Sequence, residues 1–377
     1  MKMTFKKILT CTLLLVSCSM ALAQQKVPLI VGDDAPEIKY SKWLKGTPVK
    51  SYEKDRIYVL EFWATWCGPC IAAMPGLSEF ARKHPEVTVI AYNVMEKVGG
   101  RPYESALPNV EKFVKSMGDK MDFSVAVDNN DQYMLNNWLK NAGISAIPST
   151  LVVKDGKLIW IGSPKGLENI LELIKNGTYN VTSEGSEAQR AEVAATIKSQ
   201  EAILVDYDKA IAIKDYKAAI AALDKIANDN PEMMYGVTMK KFTTLLDFVD
   251  EKQAVEVARK FLASITIGGN TVGNFGTAIA DRTGLKPETY LFGAECLQLY
   301  ISRSNGAPNP LVYEYIAKCY AQAGDYANAV KNQQIVFEKS QDALASGKGG
   351  TRITKELVAQ YEETLKAYQA KAGKKKS

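Results

Sequence analysis

Apolar and polar positions follow two different periods along the chain. In the first part, apolar runs of strand length alternate with helical stretches, and the runs begin at Ile57, Val87, Ser124 and Leu151. This alternation predicts a largely parallel sheet core with flanking helices. From about residue 180 the pattern is helical throughout, and all 5 tryptophans lie before that point. At 377 residues a single core is not expected, so the sequence predicts an α/β domain followed by an all-α domain.

Changes in composition set the predicted boundaries. We expect a leader at 1–23 (ending at 17 in a lipoprotein), an α/β domain at 24–178, a polar linker at 179–188 and an all-α domain at 189–377. Within the last part, the stretches Lys214–Pro231 and Tyr313–Ala329 resemble tetratricopeptide helix pairs. The glycine-rich stretch Gly268–Gly276 interrupts a regular repeat. We therefore expect an irregular, helical-repeat-like domain.

The leader has two interpretations, and both remain open. Ala21-Leu22-Ala23 before Gln24 fits the small-x-small rule of ordinary signal peptidase. Leu15–Cys18 also resembles a lipobox, with Cys18 as the lipidated residue. Both interpretations predict an exported protein of the periplasm or cell envelope, and the second adds a lipid anchor. No later segment is apolar enough to span a bilayer.

Charge and histidine content narrow the classes of function. The formal net charge is +5, and leaving out Lys2, Lys6 and Lys7 of the leader reduces 47 cationic side chains to 44 against 42 acidic ones. This balance is too weak to indicate a nucleic-acid partner. The single histidine, His84, is expected at the surface, which argues against zinc sites and hydrolases built on histidine. We expect no metal and no cofactor.

The chemistry is concentrated at Cys67-Gly68-Pro69-Cys70. The apolar run before it predicts a buried strand, and Pro69 suits the first turn of a helix. On that turn, the spacing of the two cysteines brings both sulfurs to one side, close enough to bridge. Cys67 would meet the unpaired N–H groups and the dipole of the helix N-terminus, which favour a nucleophilic thiolate. Cys70, one turn deeper, should stay protonated until it is needed.

Further motifs surround this pair in a recognisable order. They are the entry loop Gly32–Ile38, Pro75 within the predicted helix, and Ile147-Pro148 before the strand at Leu151. With these motifs, residues 30–175 resemble the thioredoxin superfamily, specifically the secreted disulfide reductases of the TlpA/ResA type. The resemblance implies a thioredoxin-like α/β fold with a central mixed sheet flanked by helices. Peroxiredoxins have a similar entry loop but a single peroxidatic cysteine, so a peroxidase is the weaker interpretation.

The resemblance also implies roles for residues close to the cysteines. It predicts a cis peptide bond before Pro148, with the backbone of Ile147 and Pro148 facing the disulfide and pairing with the substrate. An ordinary trans turn proline is the alternative. Trp66 is expected to shield the thiol and shape the docking surface. Gly68 and Pro69 are expected to set the reduction potential, since Gly-Pro occurs in reducing thioredoxins.

Glu61 stands where thioredoxins hold a buried Asp. The strand period of two places it on the same side as Trp63 and opposite Phe62. A carboxyl group buried beneath the helix would have a raised pKa and would accept the Cys70 proton, directly or through water. The alternative is a partly exposed glutamate on an edge strand.

The sequence predicts an exported thiol–disulfide oxidoreductase that reduces protein disulfides, with Cys67 as nucleophile and Cys70 as resolving cysteine. One alternative is a disulfide oxidase or isomerase with the same site. The other is a partner-binding helical adaptor that carries a redox-sensing thioredoxin module. The expected partners are disulfide-bearing proteins, a membrane thiol donor implied by the resemblance, and a protein bound to the helical domain. Cys296 and Cys319 are predicted to be two buried free thiols or, alternatively, a structural disulfide.

Overall fold

The computed structural model describes six stretches of the chain: 27–98, 101–179, 186–264, 269–303, 310–347 and 352–374. The two leader interpretations, Cys18 and most of the predicted linker lie outside these residues. Among the described helices, none is long and apolar enough to cross a membrane.

The first part of the chain forms one mixed sheet. Its strands are β1 (Lys42–Lys45), β2 (Ile57–Trp63), β3 (Val87–Asn93), β4 (Ser124–Val127), β5 (Ser149–Lys154) and β6 (Lys157–Gly162). They lie in the order β1-β4-β3-β2-β5-β6. The three strands β4, β3 and β2 are parallel, while β1, β5 and β6 join antiparallel to their neighbours. The predicted parallel core and the predicted mixed sheet are both confirmed.

The central position of β2 explains its composition. All seven residues of this strand are buried, because β3 and β5 pair with its edges and helices cover the sheet. Val59 and Trp63 face one apolar cluster together with both cysteines. Leu60 and Phe62 face the opposite cluster. A strand that is buried on both faces is apolar at nearly every position, and Glu61 is the exception.

Three α-helices complete this part: α1 (Gly68–Lys83), α2 (Leu107–Met117) and α3 (Leu167–Lys175). Pro75 lies inside α1, as predicted. Between β4 and β5, Leu135–Leu139 form a π-helical turn, which is followed by a 3₁₀ turn at Lys140–Ala142. The carboxylate of Asp128 accepts the backbone N–H groups of Met134 and Leu135, which holds the start of this segment to the end of β4.

The remaining described chain is helical. It comprises α4 (Ser186–Ala212), α5 (Tyr216–Asp229), α6 (Met234–Phe248), α7 (Glu251–Ser264), α8 (Gly269–Ala280), α9 (Pro287–Arg303), α10 (Pro310–Gln322), α11 (Tyr326–Ala345) and α12 (Lys355–Lys374). This confirms the predicted all-α C-terminal part. The stretch around Gly276 is a helix, and its glycine serves close packing: an added Cβ would lie 2.7 Å from the carbonyl oxygen of Gly293.

The two stretches that resemble tetratricopeptide pairs have the same local structure. A residue with positive φ, Lys214 or Gly324, ends the first helix of each pair. The next residue, Asp215 or Asp325, caps the second helix through its carboxylate. Both turns therefore close an antiparallel helix pair in the same way.

Cys296 and Cys319 are free and buried, which confirms the first of the two alternatives for this pair. They lie on α9 and α10, where an added Cβ at Gly293 would meet the Cys319 sulfur at 3.0 Å. Burial raises the pKa of each thiol to about 12, so both stay protonated and unreactive near neutral pH.

Within the described stretches, the helical part contacts the α/β part at two places. Arg190 on α4 forms a bidentate ion pair with Asp33 and also donates to the carbonyl oxygen of Pro28. At the second place, α12 packs against α2, and Arg352 donates to the hydroxyl of the buried Ser116 at 2.7 Å. Leu357 beside it is 1% exposed. Buried groups at this contact indicate a firm attachment rather than a loose tether.

Candidate active site

The two cysteines lie where the sequence predicts, at the junction of β2 and α1. They form a disulfide with an S–S distance of 2.02 Å. Cys67 is the N-cap of α1, and its Sγ accepts the backbone N–H of Cys70 at 3.3 Å. An N–H group aimed at this sulfur stabilises a thiolate once the disulfide is reduced, and the N-terminal end of the helix dipole acts in the same direction. Gly68 and Pro69 between them are exposed, whereas Cys70 is fully buried.

The loop before β5 faces this pair. The peptide bond between Ile147 and Pro148 is cis, as predicted. The carbonyl oxygen of Ile147 lies 3.7 Å from Cys67 Sγ. In the disulfide this sulfur has no proton to donate, so the distance records a contact rather than a hydrogen bond. The cis-proline loop therefore lies directly beside the Cys67 sulfur.

Glu61 lies in the centre of the sheet, so the edge-strand alternative is wrong. It is 0% exposed and pairs with Ala91 on one side and Thr150 on the other. Its Oε2 accepts a hydrogen bond from Thr150 Oγ1 at 2.5 Å, and its Oε1 has no partner among the described residues. Burial raises the pKa of Glu61 to about 8, with the Thr150 hydrogen bond opposing the shift. A carboxyl group with this pKa exchanges protons near neutral pH.

A second carboxyl group supports the loop that carries the cysteines, and sequence analysis did not find it. Glu96 accepts the backbone N–H of Thr65 at 2.6 Å and the Thr65 hydroxyl at 2.8 Å. Asn93 donates to the same carboxyl group at 2.7 Å. The indole N–H of Trp66 donates to the carbonyl oxygen of Met95, while 42% of the Trp66 side chain stays exposed. The segment after β3 therefore fixes the backbone immediately before Cys67. Its only sequence signal is a polar cluster at the end of a predicted strand.

Trp63 and His84 lie at positions where they stabilise the fold and take no part in the exchange. Trp63 is fully buried, as expected for a core residue. His84 is the C-cap of α1, so the 16-residue helix separates it from Cys67 by about 24 Å. Its side chain is 18% exposed and contacts the exposed Glu168 at 3.0 Å, so it lies at the surface with a polar partner. It joins the end of α1 to α3.

Comparison with known proteins places this site in a family. A family model described as Redoxin matches residues 30–172. A thiol-disulfide oxidoreductase ResA from Geobacillus kaustophilus is 32% identical over 160 residues, which is 40% of this chain and 82% of that protein. The chain belongs to the ResA-like thiol-disulfide oxidoreductases of the thioredoxin superfamily. This confirms the resemblance seen in the sequence, and the ResA-like protein is an oxidoreductase.

Other relatives extend the comparison. Protein FixW from Rhizobium leguminosarum is 24% identical over 209 residues, covering 55% of this ResA-like chain and 94% of that protein. Among solved structures, StoA from Bacillus subtilis is 19% identical, covering 36% of this chain and 98% of that one with a TM-score of 0.28. The thioredoxin domain of a thiol-disulfide oxidoreductase from Bacteroides vulgatus is 22% identical, covering 39% and 98% with a TM-score of 0.30. At these TM-scores the two structures carry no further inference.

Proposed function

We propose that this protein is an exported reductase of protein disulfides that acts through Cys67 and Cys70. The observation that carries the proposal is the position of Cys67 Sγ, which accepts a helix N-terminal N–H and lies beside the cis-proline loop. The names of the relatives support thiol–disulfide exchange. They therefore also support substrates that carry a disulfide. The boundaries at 24–178 and 189–377 remain our proposal for the two domains.

The exchange has two steps in which electrons and protons balance. The Cys67 thiolate attacks one sulfur of a substrate disulfide, so that an S–S bond forms to Cys67 and the other substrate sulfur leaves as a thiolate. Cys70 then loses its proton to Glu61 and attacks Cys67. The second substrate sulfur is released, and the Cys67–Cys70 disulfide forms. The substrate gains two electrons and the protein loses two.

Three features support the direction and the location. The Gly68-Pro69 dipeptide resembles that of reducing thioredoxins. The leader pattern supports export to the periplasm or cell envelope, with lipidation at Cys18 as the alternative to cleavage after Ala23. A reductase in an oxidising compartment needs a thiol donor, and the family resemblance implies one in the membrane.

The reduction potential tests the direction. We expect the Cys67–Cys70 couple, equilibrated in glutathione redox buffers, to have a reduction potential of about −270 mV, as in thioredoxin. The reduced protein should then reduce insulin. A reduction potential of about −120 mV, as in the oxidant DsbA, would favour the oxidase alternative. A protein that captures a partner but reduces no disulfide would favour the adaptor alternative.

A further inference from the structure

A groove begins beside Cys67 and runs between the two parts of the protein. It encloses about 570 Å³, and its walls include Trp66 and Gly68, the residues on either side of Cys67. The opposite wall comes from α8, α10 and the start of α12. Because α12 is fixed to α2 by buried contacts, this wall has a defined position relative to the cysteines.

The groove continues away from the cysteines. A second cavity of about 330 Å³ shares Lys112, Glu314 and Lys318 with the first one. It extends along α10 and α12 as far as Lys371. Because the two cavities share these three lining residues, one extended ligand can occupy both.

The charges along the groove are unbalanced. Its walls carry five cationic side chains against two acidic ones, Asp281 and Glu314; the cationic residues are Lys97, Lys112, Lys318, Arg352 and Lys371. Both acidic groups have partners, because Lys318 lies 3.7 Å from Asp281 and the Tyr361 hydroxyl donates to Glu314. Although Lys318 is the partner of Asp281, the five cations and two acids leave a formal net charge of +3 along the groove, which attracts an anionic chain.

The groove also offers polar groups to a backbone. Gln360 Oε1 is enclosed and has no hydrogen-bond partner among the described residues. Asn274 and Asn109 line the same cavity. Side-chain amides carry both a donor and an acceptor, so those that line the cavity suit the N–H and C=O groups of a bound backbone.

We propose that this groove binds an acidic, extended polypeptide segment that flanks the cysteine of the substrate disulfide. The inference rests on the proposed function, since the segment adjoins the disulfide that Cys67 attacks. The helical part then acts as the second wall of the active site and selects substrates by charge.

The test compares disulfide peptides that differ only in the flank of the cysteine, which carries a run of glutamates, glutamines or lysines. With reduced full-length protein at low salt, we expect the glutamate peptide to react about tenfold faster than the lysine peptide. High salt should narrow this difference. Neutral hydroxyethyl disulfide serves as a reference that does not need the groove.

Two variants on one helix localise the effect. Lys112 and Lys115 are both exposed on α2, and only Lys112 lines the groove. Lys112→Glu should remove most of the preference for the glutamate peptide, measured as the ratio of its rate to the rate with hydroxyethyl disulfide. Lys115→Glu should preserve the preference. Equal rates for the three peptides, or equal effects of both variants, would overturn the proposal.

A binding measurement separates this inference from the redox function. Fluorescence anisotropy of the same peptides, labelled and with serine in place of cysteine, reports binding without exchange. If the protein reduces no disulfide at all, the proposed function fails, and tighter binding of the glutamate peptide still supports the groove. If exchange proceeds but the serine peptides bind equally, the groove assignment fails and the function stands.

Discussion

Replacing Cys70 by Ala is expected to stop turnover after the first step, so that a mixed disulfide between substrate and Cys67 accumulates. Replacing Cys67 by Ala should prevent any adduct, because the Cys70 side chain in the first turn of α1 is fully buried and cannot reach a substrate sulfur. Both variants should reduce insulin no faster than the uncatalysed exchange. Non-reducing electrophoresis and intact mass of the adduct distinguish the two outcomes.

A matched control separates these effects from general loss of fold. Cys296→Ala removes a thiol that is equally buried but lies in the helical core. It should lower stability through a small cavity while leaving the rate of insulin reduction unchanged per folded molecule. An adduct formed by the Cys67→Ala variant would show that another cysteine is the nucleophile, and the assignment of roles would be wrong.

The second large effect is expected at Glu61. Glu61→Gln should slow resolution of the mixed disulfide about a hundredfold, as for loss of a general base, and leave its formation nearly unchanged. With a pKa of about 8, wild-type Glu61 becomes a better proton acceptor as the pH rises toward 8, so the resolution rate should rise over that range. The variant should lack this rise. Stopped-flow measurement of both steps between pH 6 and pH 9 provides the comparison.

A variant at Thr150 serves as a control, because it should shift the pH dependence of the resolution rate while the Glu61 carboxyl group stays in place. The Thr150 hydrogen bond lowers the pKa of Glu61, so Thr150→Val should shift the rise in resolution rate to higher pH. A purely structural role of Glu61 would leave the position of this profile unchanged. Equal slowing of both exchange steps in Glu61→Gln would contradict the proton-transfer role.

The same carboxyl group should make stability depend on pH. Its folded-state pKa of about 8 exceeds the ordinary value of 4.5, so its stabilising contribution is complete below about pH 4.5. That contribution is lost as the pH rises toward 8, by an amount on the order of 5 kcal/mol. In Glu61→Gln, the free energy of unfolding should depend less on pH over this range. All 5 tryptophans precede residue 180, so their fluorescence during urea unfolding reports this part of the chain.

Local patterns were sufficient to predict β2, α1 and the cysteine pair. The apolar run Ile57–Trp63 is a strand because both of its faces are covered, and Pro69 begins the helix that follows. The cis bond before Pro148 followed from the family motif rather than from propensity. For Glu61, the period of two gave the correct face, while its burial required knowing that β5 would cover the second edge of β2.

Other features depend on contacts between distant segments. Glu96 supports Thr65 from 31 residues away, and the polar cluster at the end of its strand does not indicate which residue it contacts. The contact of Arg352 with Ser116 spans 236 residues and brings the helical wall to the active site. Residue patterns predicted both parts of the chain but not their mutual placement, since it depends on a few buried polar contacts. The groove beside Cys67 was therefore visible only in the structure.

Cys67 and Cys70 are expected to carry the two electrons that pass from the protein to its substrate. The direct measurement mixes fully reduced protein with one equivalent of a disulfide substrate, quenches with acid, and labels free and oxidised cysteines with light and heavy alkylating reagents. Peptide mass spectrometry should find Cys67 and Cys70 oxidised together, in proportion to the substrate reduced, with Cys296 and Cys319 still free. Oxidation at Cys296 or Cys319 while the Cys67–Cys70 pair stays reduced would contradict the assignment of Cys67 and Cys70 as the redox pair.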